Sequence, residues 1–450
     1  MEFGGSMPVS RRSLLKNVVA GAALTVGAQE IHGKGIANGA PPAMSKGSAS
    51  SSRSDIPTGP DPLFEKPAPI TLAELAQKEI TGVSVAEVTD YAPAHYQGEL
   101  APSPPHADHN ARKAIIVAWK DKPHRLIFSH EASYDPWIEL PNGVGLCNQF
   151  FEGNFGWAEL FNNNGRKERN SFVDIIQSGP HRVWVRWNYF CVNQNDDSRP
   201  ALRGTEDYVT YRNGLVWRRL TYTSLMPDDT KGYSWQPIDF FAGAPAGTTW
   251  KDLFPRDEQH GDNWVGSVID AYSPKHYDVF WDDDGKARRV GDAPLLLEIS
   301  RSRGLALIMT FKEGFAFTII GAASGWPSDK SQVVDNSFTD TGGEGWVAER
   351  WDHWPVGWLN SQTHYYKPGS QYPYSFGPFS HYIINKPIKD AGKDKTPAYH
   401  DMELNRWSEK HVYYTLTGVA PDIESIRRTA KSWLDKAEQC ARPESIENLA

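Results

Sequence analysis

The feature that most constrains this chain is the run from Tyr208 to Tyr222. The segments Tyr208-Val209-Thr210-Tyr211-Arg212 and Leu215-Val216-Trp217-Arg218-Arg219-Leu220-Thr221-Tyr222 flank Asn213-Gly214. β-Branched and aromatic residues suit a pleated, half-buried surface, and Asn-Gly accepts the positive φ angles of a two-residue type I′ turn. The pattern predicts a hairpin. Similar pairs recur along the chain. Ala114–Trp119 and Arg125–Ser129 flank a polar turn at Lys120-Asp121-Lys122-Pro123, and Phe172–Ile176 and Arg182–Val192 flank Gln177-Ser178-Gly179-Pro180. Leu295–Ser300 and Leu305–Phe311 read as a further hairpin around Arg303-Gly304, and Phe315–Gly321, Tyr382–Asn385 and Val412–Thr417 as more strands.

Helical periodicity appears only towards the two ends. Thr71–Ile80 is a short candidate, and Asp422 can cap a segment whose Ile423, Ile426, Ala430, Trp433, Leu434 and Ala437 share one face. Many antiparallel strands with one packing helix at the end predict an all-β fold, a large antiparallel β-sandwich with a short helix near the start and a C-terminal helix. The stretches Gly232–Asp262 and Ala322–Ser380 read as long loops, and long loops in a compact domain are usually functional.

The N-terminus carries an address. Ser10-Arg11-Arg12-Ser13-Leu14-Leu15-Lys16, the short apolar stretch Val18–Val26 and the small residues Val26-Gly27-Ala28 follow one another in order. Together they resemble a twin-arginine (Tat) signal peptide, with Leu where the motif carries Phe. The resemblance implies folding before export, over residues 1–28, and a periplasmic or secreted life. Residues 29–62 are rich in Gly, Ala, Ser and Pro and read as a disordered linker, because such a composition buries too little apolar surface to offset its ordering entropy. Residues 63–450 then form a single large catalytic domain. The apolar stretch of the leader is too short to serve as a stable membrane anchor.

A net charge of −8 gives no basic stripe for nucleic acid. The three cysteines, Cys147, Cys191 and Cys440, allow one disulfide at most and leave the pairing of Cys147 with Cys191 open. The chain carries 17 Trp, 18 Tyr and 19 Phe, and rings in that number are expected to line a cleft as well as a core.

The densest chemistry lies in Glu349-Arg350-Trp351-Asp352-His353-Trp354-Pro355-Val356-Gly357-Trp358, followed by His364-Tyr365-Tyr366. Flat aromatic faces beside polar groups suit a sugar ring. Hydrolysis of a glycosidic bond needs two carboxylates, drawn here from Glu349, Asp352, Asp257 and Asp262. Elimination from a uronate needs a base and an acid, for which His353 or His364 and Tyr365 serve, with Arg350 neutralising the substrate carboxylate. A second cluster, Arg256-Asp257-Glu258-Gln259-His260-Gly261-Asp262-Asn263-Trp264, has the same character and offers His260 as a substrate contact. A third, Tyr134–Glu139, offers Trp137. His106 and His109 lack the companions of a metal site, Asp282-Asp283-Asp284-Gly285 reads as a hairpin tip, and neither a phosphate cradle nor a G-x-S-x-G elbow is present, so no metal and no cofactor is expected.

In general pattern the body resembles the mutarotase-like supersandwich proteins of carbohydrate metabolism. That resemblance implies the fold and a carbohydrate substrate, and it transfers no catalytic residue. The expectation is an exported enzyme that cleaves glycosidic bonds of a polysaccharide or oligosaccharide, by hydrolysis or uronate elimination. The alternative is a non-catalytic glycan-binding surface protein. Oligomeric state is left open.

Overall fold

The computed structural model describes residues 66–91, 113–129, 136–147, 152–153, 158–159, 171–193, 200–224, 233–321, 331–335, 369, 374–386, 410–435, 440–447 and 449. The expected leader and linker lie outside them. So do Glu349, Arg350, Trp351, Asp352, His353, Trp354, Trp358, His364 and Tyr365.

The described strands form two antiparallel sheets, and the fold is an all-β sandwich. The smaller sheet is built from β1 (Val83–Val88), β2 (Ala114–Trp119), β3 (Arg125–Ser129), β4 (Trp137–Glu139) and β5 (Gly145–Cys147). The larger takes β6 (Glu152–Gly153), β7 (Ala158–Glu159), β8 (Ser171–Ser178), β9 (Arg182–Asn193), β10 (Pro200–Tyr211), β11 (Val216–Ser224) and β12 (Tyr233–Asp239). The chain returns to the smaller sheet at β13 (Phe241–Ala244). It then adds β14 (Asn263–Asp270), β15 (His276–Trp281), β16 (Ala287–Val290), β17 (Leu305–Phe311), β18 (Gly314–Ile320) and β19 (Ser331–Asp335) to the larger. Last come β20 (Tyr374–Phe376) in the smaller sheet, and β21 (Phe379–Lys386) and β22 (Lys410–Ala420) in the larger. The smaller sheet runs β1-β2-β3-β4-β5-β13-β20, and the larger runs β16-β15-β14-β17-β18-β22-β11-β10-β9-β7-β6-β12-β21-β19, with β8 paired to β9.

Alternation along the strands decides which side chains meet. On β11, Val216, Leu220 and Tyr222 face the core shared by the two sheets, where they join Val83, Ile115, Phe128 and Leu146. The intervening Trp217 faces a second apolar layer with Tyr211, Trp184 and Leu416. That layer is covered by α4 (Ile423–Leu434), whose Ile426, Ala430, Trp433 and Leu434 are buried in it. Asp422 caps this helix as expected, its carboxylate accepting the Ser425 amide at 2.6 Å. The other helical elements are α1 (Leu72–Gln77), closed by a Thr71–Glu74 capping box, the single turn α2 (Trp250–Leu253), and α3 (Ala293–Ser300).

Three expectations are corrected. Leu295–Ser300 is helix, not strand: Asp292 accepts the Leu295 amide, Pro294 occupies the first turn, and Gly291 at φ 123° breaks the preceding strand. β17 instead pairs with β14 and β18. The Asn213-Gly214 hairpin closes through a three-residue loop. The Gly214 amide donates to the Tyr211 carbonyl at 3.0 Å, the Tyr211 amide donates to Leu215, and the positive φ falls on Gly214 at 91°, as in a turn followed by a glycine bulge. The stretch Gly232–Asp262 is not one loop, since it contains β12, β13 and α2; Ala322–Ser380 contains β19 and β20.

The larger sheet curls so that its two ends approach. Asp335 at the end of β19 accepts from Tyr277 Oη of β15 at 2.7 Å and from Arg289 Nε of β16 at 2.9 Å. Across the interior, Arg218 of β11 donates to the Pro237 carbonyl of β12 at 2.9 Å, and Tyr413 of β22 meets His381 Nδ1 of β21 at 3.0 Å. Cys147, Cys191 and Cys440 are all buried, and no disulfide joins any two of them. Among the described residues no helix is long and apolar enough to cross a membrane.

Candidate functional site

The second polar cluster closes on itself between α2 and β14. The Asp257 amide donates to the Asp262 carbonyl at 2.7 Å and the Gly261 amide donates back to Asp257 at 2.8 Å, with Gly261 at φ 73° making the reversal possible. Arg288 of β16 then bridges the two acids, at 2.7 Å from Asp257 and 2.5 Å from Asp262. His260 Nδ1 lies 2.6 Å from Asp257 Oδ2. Partial burial pushes the Asp257 carboxyl up, but hydrogen bonds from His260 and the Gln259 amide, with the charges of His260 and Arg288, outweigh it and hold the group below its usual range. An acid so held stays ionised, which suits orienting Arg288 and His260 rather than donating a proton. Beside it, Asp283 at the β15–β16 tip pairs with Lys251 of α2 at 2.7 Å and Arg256 at 2.6 Å.

The densest sequence cluster falls within 336–373, of which only Gly369 is among the described residues. The described residues around it meet the same corner. Asp335, the last residue of β19, is held by β15 and β16. The Gly369 amide donates to the Thr248 carbonyl, one residue before the cap of α2. In β20, Phe376 packs against Trp250, Phe254 and Trp281 with centroids 5.4, 5.5 and 5.8 Å away. The elements that hold Asp335 and Gly369 therefore also carry Arg288 and flank Asp257, His260 and Asp262.

A groove of about 590 Å³ lies between α4 and the outer face of β14 and β15, lined among others by Trp264, Tyr272, His276, Asp278, Arg427 and Lys431. It joins the corner through a stack of rings: Arg288 lies over Phe280 at 4.2 Å, and Phe280 stacks on Trp264 with centroids 6.2 Å apart. Behind the groove wall Trp264 Nε1 donates to the buried Ser267 Oγ at 3.2 Å, Ser267 donates to Asp278 Oδ1 at 2.5 Å, and His276 Nδ1 lies 2.7 Å from Asp278 Oδ2. The sequence reading missed His276, Asp278 and Ser267. The i, i+2 spacing of His276 and Asp278 in a strand was the available signal, but their meeting with Ser267 depends on the β14–β15 register.

Trp137 sits in β4 with no exposed surface, its ring 6.2 Å from that of Tyr91, so neither ring face is open to a sugar. A sealed polar cluster lies between the sheets. Glu206 accepts from Tyr189 at 2.6 Å, from Tyr208, and from Arg218 through two nitrogens. His381 faces Ser331 Oγ at 3.3 Å beyond Tyr413, and burial lowers its pKa to about 3. Glu206, Arg218 and His381 have no exposed surface, so the cluster joins the two halves of the curled sheet and reaches no solvent. No group of three or more His, Cys, Asp or Glu that could hold a metal ion occurs among the described residues.

No protein-family model matches the sequence, and no curated protein matches it. Among solved structures the chain is similar to a galactose 1-epimerase from Lactobacillus acidophilus NCFM, at 10% identity and a TM-score of 0.23, over 67% of this chain and 98% of that one. A TM-score that low leaves the functional argument to the chain's own residues.

Proposed function

We propose that this protein is an exported carbohydrate-active enzyme that cleaves glycosidic bonds, with its reacting centre at the corner formed by α2, the β15–β16 tip and the segment 336–373. The observation that carries the proposal is the placement of Asp335 and Gly369, between which Glu349, Asp352, His353, His364 and Tyr365 lie in sequence: both are held beside the Asp257–Arg288–Asp262 bridge, Asp335 by β15 and β16 and Gly369 by Thr248 at the start of α2. Trp351, Trp354 and Trp358 supply flat faces for sugar rings, and His260 and Arg350 supply hydroxyl and carboxylate contacts. Because Asp257 is held ionised and Asp262 is engaged by Arg288, the proton donor comes from the segment. Asp352 or Glu349 fills that role in hydrolysis, and Tyr365, with His353 or His364 as base, fills it in elimination. Export rests on the twin-arginine resemblance of the leader.

The test is turnover of a polysaccharide panel by the full chain. Release of reducing ends supports cleavage, and ultraviolet absorbance of the product separates elimination, which creates a double bond, from hydrolysis. Binding without turnover across the panel favours a non-catalytic glycan-binding protein instead.

A further inference from the structure

We infer that the groove along β14 and β15 is a binding channel for a neutral, hydroxyl-rich oligosaccharide. The inference rests on the carbohydrate reading of the adjoining corner and names the class of substrate.

The lining decides the class. Its cations are Arg427 and Lys431 and its carboxylates are Asp278 and Glu424, so a polyanion entering the groove meets as many like charges as opposite ones. Arg427 is already engaged, donating to the carbonyls of Asp270 and Ser273 and lying 3.3 Å from Glu424. That leaves it little capacity for a bidentate grip on a substrate carboxylate. Asp278 has both oxygens occupied, one by Ser267 and one by His276. His276 Nδ1 is turned to Asp278 Oδ2, so Nε2 is the ring nitrogen that faces a ligand. A ring nitrogen fixed in this way suits a sugar hydroxyl, which both donates and accepts. Trp264 at one end of the groove and Tyr272 towards the other line it with aromatic surface, one face of Tyr272 being covered by Arg303 at 4.2 Å. Trp264 near the start of β14 and Ala271 just beyond its end both line the groove, roughly 20 Å apart along the strand. A neutral substrate lacks the acidic proton that elimination requires, so this class assigns hydrolysis to the corner.

The test is calorimetric titration of the full chain with neutral β-glucan and mannan oligosaccharides, and with oligogalacturonate of matched length as the anionic probe. Binding of a neutral series is expected, with no measurable binding of oligogalacturonate. His276→Ala should weaken the neutral ligand about fivefold, as for one lost hydrogen bond. Trp264→Ala should weaken it about tenfold or more. His276 is half exposed, so His276→Gln serves as a folding-neutral control and should recover part of the affinity. Three results overturn the inference: no heat with any neutral oligosaccharide, oligogalacturonate binding that depends on His276, or neutral binding unchanged in both the His276 and Trp264 variants. Loss of turnover in Asp352→Asn with the His276-dependent binding intact shows the groove and the reacting corner acting separately. Binding with no turnover in the wild type overturns the cleavage proposal and leaves the groove standing.

Discussion

Arg288 lies across the ring of Phe280, its guanidinium carbon 4.2 Å from the ring centroid, while its nitrogens reach Asp257 and Asp262 at 2.7 and 2.5 Å. One side chain thus fixes the polar corner and connects it to the aromatic floor of the groove. Lysine has neither the planar fork nor the stacking face needed to do both. Arg288→Lys should lower glycan turnover at least tenfold. These ion pairs are partly exposed, each worth about 0–1 kcal/mol, so the thermal midpoint should move by only a few degrees. Turnover kinetics beside a melting curve check both halves.

The sealed Glu206–Arg218 pair should behave in the opposite way. Both side chains have no exposed surface, and Glu206 also receives the Tyr189 and Tyr208 hydroxyls. Arg218→Met leaves a carboxylate buried without its countercharge, at a cost of about 3–5 kcal/mol. Urea denaturation should show that loss, and a midpoint unchanged within error would mean that the pair does not join the sheet halves.

Two buried histidines predict the acid side of the stability profile. Burial lowers His381 from the ordinary 6.5 to about 3, and burial with the charge of Lys122 lowers His124 to about 4. Both are neutral in the folded protein and take up a proton on unfolding. Their contribution is complete above the unfolded value and is lost as pH falls from about 6.5 towards 3 to 4. The urea midpoint should therefore fall between about pH 7 and about pH 5, and His381→Gln, which can still bond Tyr413 and Ser331, should flatten part of that slope. An equal slope in the variant contradicts the assignment.

Asn213 does more than form a turn. Its side-chain amide donates to the carbonyls of Ile446 at 3.1 Å and Leu449 at 2.8 Å, while its Oδ1 accepts the Leu215 amide at 3.1 Å. Asn213→Ala should cost about 1–3 kcal/mol and raise amide exchange over residues 440–449. Exchange confined to the hairpin itself would contradict a role in docking the C-terminus.

The strand pairs were legible because their alternation is local. β2–β3, β8–β9, β10–β11 and the β15–β16 tip at Asp282–Gly285 all join neighbours in sequence across a turn. Leu295–Ser300 was misread because a short apolar run has no period of its own, and the decisive signal lay upstream in Gly291-Asp292. β12 and β13 were hidden by Pro237, Gly243 and Pro245, which punctuate a sequence that nonetheless pairs with distant β21, β6, β5 and β20. The corner was legible as composition, in Asp257, His260 and Asp262. Its key cation, Arg288, comes from a strand more than twenty residues away, and only the register of β15 with β16 brings it there.

The most direct measurement is reducing-end release from a neutral polysaccharide panel by the wild-type chain, Asp352→Asn and His353→Ala, with product absorbance followed in the ultraviolet. The account predicts turnover by the wild type without ultraviolet absorbance, and a fall of about a hundredfold or more in Asp352→Asn, the scale of a lost general acid. Turnover that survives unchanged in both variants, or a wild type that binds these glycans and cleaves none, would contradict it.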